Sequence, residues 1–157
     1  MALCEKLGHD DVSGRDLFLL SISRPEDFPH VTSLSTPRFV CLLAWDASAA
    51  GVEQISALAR RLLDAGAVYI CAWGPDCERV HDIIDEEDLG PHPAATADSV
   101  VMTTWHAGES LDDALQFVLT GTVPDAAYSE GCGSTLAVAI GSAQWAEQIR
   151  AAFSRRP

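Results

Sequence analysis

The segment Phe39-Val40-Cys41-Leu42-Leu43-Ala44-Trp45 is apolar at every position, and few environments accept such a run. A strand with one wet face alternates apolar and polar residues, so an uninterrupted run fits a strand covered on both faces, as in a parallel sheet. A helical pattern follows at once. Val52, Ile55, Leu58, Ala59, Leu62 and Leu63 fall on one side, Arg60, Arg61 and Asp64 fall elsewhere, and Gly66 supplies a stop.

The same unit recurs along the chain. Residues 68–73 form a second apolar run, followed by the turn Gly74-Pro75-Asp76 and a helix from 77 to about 86. A Pro- and Ala-rich loop over 90–98 leads to a third strand over 99–105. Ser110 and Asp113 read as a capping-box variant for a third helix with the stripe Leu111, Ala114, Leu115 and Val118, closed by Gly121. After a loop over 122–134 comes a fourth strand, 135–140, and a helix opened by Gly141-Ser142 with Trp145, Ile149, Ala152 and Phe153 inward.

Strand-helix units in series predict an α/β fold, because right-handed crossovers lay the helices over the faces of a parallel sheet. The expectation is a three-layer sandwich, Rossmann-like or flavodoxin-like, with a mainly parallel sheet of about four strands and helices on both faces. Residues 1–157 read as one domain. Its first 37 residues are irregular: 16–22 fits an edge strand or a helix, and 24–30 reads as loop.

Charge excludes partners. With 23 Asp+Glu against 10 Lys+Arg the formal charge is −13, whereas nucleic acids and anionic membranes recruit Lys/Arg clusters. Lys6 is the sole lysine and precedes every element placed above, so a phosphate-binding P-loop and a Schiff-base lysine both drop out. The cysteines Cys4, Cys41, Cys71, Cys77 and Cys132 contain no C-x-x-C pair, and their odd number suits a reducing compartment. The early apolar stretch 17–22 is far shorter than the ~20 residues that span a bilayer. A cytoplasmic protein with no cofactor and no metal site is expected.

In open parallel sheets ligands bind outside the carboxyl ends of the strands. Those ends carry Trp45-Asp46, then Trp73-Gly74-Pro75-Asp76-Cys77, then Thr103-Thr104-Trp105-His106, then Gly141-Ser142. Trp45, Trp73 and Trp105 either roof the core there or form a ligand-facing aromatic wall. Cys77 opens a helix, where exposed N–H groups favour thiolate, and His81 lies one turn on. Yet Cys77, Val80 and Ile84 also make an apolar stripe, and buried cysteines are ordinarily packing residues. Asp76, His81, Asp82, Asp85, Glu86 and Glu87 could be read as metal ligands, but a solvated acidic helix face explains them better. No G-x-G-x-x-G follows the first strand, and no G-x-S-x-G elbow occurs.

The phrases Ala72-Trp73-Gly74-Pro75-Asp76-Cys77 and Met102-Thr103-Thr104-Trp105-His106, followed by Glu109 and Leu111, resemble a family of small uncharacterised bacterial α/β proteins, a domain of unknown function. The resemblance covers about residues 38–120 and implies no activity. It singles out Trp73, Gly74, Cys77, Thr103, Thr104, Trp105, His106 and Glu109.

The reading that follows is a non-catalytic acidic protein that engages a protein partner, a cationic one by charge, through this strand edge and the second helix. An immunity protein or antitoxin is one such role. Its binding residues are Trp45, Trp73, Gly74, Asp76, His81, Thr104 and Trp105. The alternative is a small hydrolase or transferase at the same edge, with Cys77 as nucleophile, His106 or His81 as base, and Asp46 or Glu109 orienting the imidazole. A small-ligand sensor built on the tryptophans is a further alternative. Oligomeric state stays open, since Phe153 fits either the core or a second subunit.

Overall fold

The computed structural model describes residues 4–30, 32–89 and 100–155. Along the chain run β1 (Glu5–Asp10), β2 (Arg15–Ile22), β3 (Arg38–Trp45), α1 (Val52–Ala65), β4 (Ala67–Trp73), α2 (Cys77–Leu89), β5 (Met102–Trp105), α3 (Leu111–Thr120), β6 (Cys132–Ile140) and α4 (Ala143–Ser154). The fold is α/β, as the alternating pattern requires. The loop expected over 90–98, with His92, and the strand start at Ser99 lie outside the described residues.

The sheet has six strands in the order β1-β2-β6-β3-β4-β5, not about four. The two additional strands come from the N-terminal stretch that reads as irregular. There Gly14 N–H donates to Asp10 O across 2.8 Å, closing a hairpin, and β1 pairs antiparallel with β2. Every other pairing is parallel. β2 is not an edge strand: its residues from Asp16 to Ile22 lie in register with Ser134 to Ile140 of β6. The edge is β1, whose sequence Glu-Lys-Leu-Gly-His-Asp is polar and whose register breaks between Lys6 and Gly8. Polar, bulged edges resist further strand pairing, and polarity hides such a strand from a search for apolar runs.

The side chains of β3 alternate between two cores. Phe39, Cys41, Leu43 and Trp45 join Ile55, Leu58, Leu62, Val80 and Ile84 of α1 and α2. Val40, Leu42 and Ala44 join Leu115 and Val118 of α3 and Ile149 and Phe153 of α4. Phe153 is fully buried among them. Gly66, with φ 111°, ends α1 in the left-handed region and lies so close to Pro37 O that a Cβ would stand 2.0 Å from it. Ser110 and Ser142 cap α3 and α4 by accepting from Asp113 N and Trp145 N, 3.1 Å each.

Handedness then fixes the openings. From β3 the chain steps outward to β5 with α1 and α2 on one face, and returns to β6 with α3 and α4 on the other. β4 therefore leads to α2 on one face while its neighbour β5 leads to α3 on the opposite face. Such divergence opens a crevice at the carboxyl ends of the two strands.

The N-terminal hairpin is tied down by Asp16, whose carboxylate accepts from Ser35 Oγ at 2.6 Å and His9 Nδ1 at 2.8 Å, with Lys6 Nζ at 3.4 Å. Ser35, then His9, hold its carboxyl down to about 2. That value lies below the ordinary aspartate value of about 3.9, so the stabilisation is complete above about pH 4 and is lost as pH falls towards 2. Urea midpoints taken between about pH 4 and pH 2 should fall more steeply for the wild type than for Asp16→Asn.

Candidate functional site

A cavity of about 390 Å³ occupies the crevice between the segments 73–78 and 106–109. Its floor on the α2 side is a rigid turn. Gly74 has φ 115°, and a Cβ there would stand 2.3 Å from Trp45 O, so only glycine lets the β3 and β4 ends approach this closely. Ala47 N–H donates to Pro75 O at 3.1 Å, joining the same two ends. Asp76 follows with φ 66°, a conformation aspartate tolerates better than most residues. Its carbonyl accepts from Val80 N to begin α2, while its carboxylate accepts from Arg79 Nε at 2.8 Å. Arg79 Nη2 reaches on to Ala47 O and Ala50 O at 2.8 and 2.7 Å. One guanidinium thus clamps α2 to the loop after β3.

The opposite wall is built on His106. Its N–H donates to Ala72 O at 3.0 Å, which extends the β4-β5 ladder by one residue, and its ring lies 4.8 Å from Phe117 of α3. The ring is buried, with 5% of the residue exposed. Its Nδ1 stands 3.1 Å from Glu109 Oε2 and its Nε2 stands 2.9 Å from Thr104 Oγ1. A carboxylate can only accept, so Nδ1 donates to Glu109, and in the neutral ring Nε2 accepts from the Thr104 hydroxyl. Beyond Thr104 lies Cys71, whose thiol burial pushes up to about 12 against a smaller lowering by its hydrogen bond with Thr104. Trp73 Nε1 donates to Glu109 O at 2.8 Å and packs edge-on to Trp145 at 4.9 Å.

His106, Glu109 and Thr104 are thus joined by hydrogen bonds, whereas Cys77 shares the cavity lining with His106 and Glu109 and Asp46 is engaged by Ser48. Cys77 is 3% exposed and packs with Val80 and Ile84 in the α1/α2 core, while His106 stacks on the opposite layer. Asp46 is exposed and accepts from Ser48 N–H at 3.1 Å and Ser48 Oγ at 2.5 Å. His81 stacks on Trp105 at 4.5 Å, with Nδ1 2.9 Å from Asp82 and Nε2 3.4 Å from Asp85. Asp85 also accepts from Thr103 Oγ1 at 2.5 Å, tying α2 to β5. The tryptophans face three different surroundings: Trp45 is buried in the α1/α2 core, Trp73 packs against the α3/α4 core, and Trp105 is 45% exposed. Among the described residues no cluster of three or more His, Cys, Asp and Glu could hold a metal ion. Nor is any described helix long and apolar enough to cross a membrane.

Arg79 and Phe117 escape the sequence reading. Their roles depend on contacts between elements, although the two-residue spacing of Thr104 and His106 already places both on one side of β5.

The architecture is a mostly parallel α/β sheet with a buried histidine at a divergent strand pair. The sequence model of a family described as a domain of unknown function (DUF7684) matches residues 17–156, and the chain belongs to that family. The match runs beyond the 38–120 stretch on which the resemblance rests, into β2 and α4. No curated protein and no solved structure matches the chain.

Gly74→Ala should destabilise the fold by about 2–3 kcal/mol, since it adds left-handed strain to a backbone clash. Chemical denaturation measures this, with Gly108→Ala, where a Cβ meets nothing within 4 Å, expected to cost less.

Proposed function

We propose that the protein is a non-catalytic binding protein that engages a cationic protein partner through α2 and the adjoining carboxyl edge of the sheet. The observation that supports it is the charge of that surface. Glu78, Asp82, Glu86 and Glu109 are exposed there, while Arg79, the cation among them, is held by Asp76 and two backbone carbonyls. Beside the acids, Trp105 of β5 is 45% exposed and stacks on His81 of α2. An exposed tryptophan with a charged rim is ordinary anatomy for a protein interface. In its finer form the reading is of a bacterial cytoplasmic protein, immunity- or antitoxin-like, whose charge steers a basic toxin on approach. Cys77 buried in the core and Asp46 bonded to Ser48 leave less for the catalytic alternative to use.

A partner captured from the source cells should be lost from the charge reversal Glu78→Lys/Asp82→Lys/Glu86→Lys and from Trp105→Ala, both with wild-type thermal stability. Its association rate should fall at least about tenfold from low to high salt. Capture indifferent to the charge reversal, or a salt-insensitive rate, would overturn the proposal.

A second reading, acyl transfer or hydrolysis, is favoured by one observation: Thr104, His106 and Glu109 stand in the order hydroxyl, base and orienting carboxylate. The Thr104 hydroxyl then takes the place given to the Cys77 thiol. Hydrolysis of p-nitrophenyl acetate by the wild type should drop at least about a hundredfold in His106→Ala; equal rates remove this reading.

A further inference from the structure

The far end of the sheet, at the amino ends of β2 and β6, carries a second cavity, of about 360 Å³. Arg15, the first residue of β2, forms part of its wall and is only 6% exposed. Its Nη2 donates to Thr122 Oγ1 at 3.1 Å and Thr122 O at 3.3 Å. Its Nη1 is buried and meets no hydrogen-bond acceptor among the described residues. A buried charged donor without an acceptor costs more than a neutral one in the same place. Such a group in a native fold calls for an explanation, and a bound ligand or ion is one.

The lining shows which ligand. Besides Arg15 the cavity offers the hydroxyl residues Ser13, Thr120 and Ser129 and the apolar residues Leu119 and Val123. Among the described residues no acidic one lines it, although the chain carries 23 of them. Guanidinium matches carboxylate through two parallel N–H···O bonds. Asp10, opposite Arg15 in the hairpin register, acts on the guanidinium electrostatically and offsets part of its charge, which favours a monoanion over a dianion.

We infer that this cavity is a binding site for a small aliphatic monocarboxylate, its carboxylate on Arg15 and its chain against Leu119 and Val123. It stands independently of the partner surface at the other end of the sheet. The competing account is that Arg15 only fastens the segment after α3, since Thr122 Oγ1 also donates to Val118 O at 2.6 Å.

Butyrate, its neutral isostere butyramide, and sulfate, titrated into the full chain at fixed ionic strength, separate the two by amide NMR shifts. Butyrate should saturably shift Thr120, Thr122 and Ser129, butyramide and sulfate should not, and Arg15→Gln should weaken butyrate at least about tenfold. Should Arg15→Gln fail to fold, the wild-type contrast between butyrate and butyramide still decides. Absence of saturable shifts with butyrate, equal shifts with butyramide, or sulfate binding as tightly as butyrate overturns the inference.

Discussion

β6 pairs with β2 on one side and with β3 on the other, and the rest of the structure hangs on that double ladder. Remove it and the hairpin of β1 and β2 has no connection to the sheet formed by β3, β4 and β5. The strand is suited to its place. Leu136, Val138 and Ile140 fill the α1/α2 core, while Ala137 and Ala139 face α3 and α4. Small residues on that face, continued by Ala44 of β3, leave room for Ile149 and Phe153 of α4, both fully buried. Burial of a phenylalanine and an isoleucine side chain contributes roughly 1.5–3 kcal/mol each. The pairing and the helix packing are therefore one arrangement seen along two directions.

The same insertion separates the chemistry of the two ends of the sheet. Because the chain reverses direction after β5, α2 and α3 leave adjacent strands towards opposite faces, and the crevice with His106 lies between them. Acidic residues gather there and along α2. The amino end of the sheet instead holds Arg15 beside hydroxyls, with Asp10 its near counter-charge. Within a chain of net charge −13, the two cavities thus have different linings: Asp76, Glu78 and Glu109 at one end and Arg15 with hydroxyls at the other.

Legibility in the sequence follows how local each cause is. The apolar runs of β3 and β4, the stripes of α1 and α3, and the stops and caps at Gly66, Ser110 and Ser142 rest on neighbours within a few residues, and all are readable. β1 is not, because an edge strand needs no apolar face. Gly74 reads as a turn glycine, but its reason is the carbonyl of Trp45, brought close only by sheet pairing. The edge carrying His106 is found from strand ends alone, whereas the separation of Cys77 and His106 into different layers depends on which face each helix takes. Arg15 gives no signal, since its environment is assembled from β2, the end of α3 and the start of β6.

β6 also sets when the fold can close. It lies near the end of the described chain, at Cys132–Ile140, yet it is a central strand. During synthesis the hairpin and the β3–β5 unit emerge first, each with one open flank of unpaired backbone and exposed apolar side chains. Neither flank can be sealed until residue 140 has left the ribosome, so until then the nascent chain is two half-sheets awaiting a shared insert. Such non-local closure slows folding and leaves the inner flanks of both half-sheets open to other chains until β6 inserts between them.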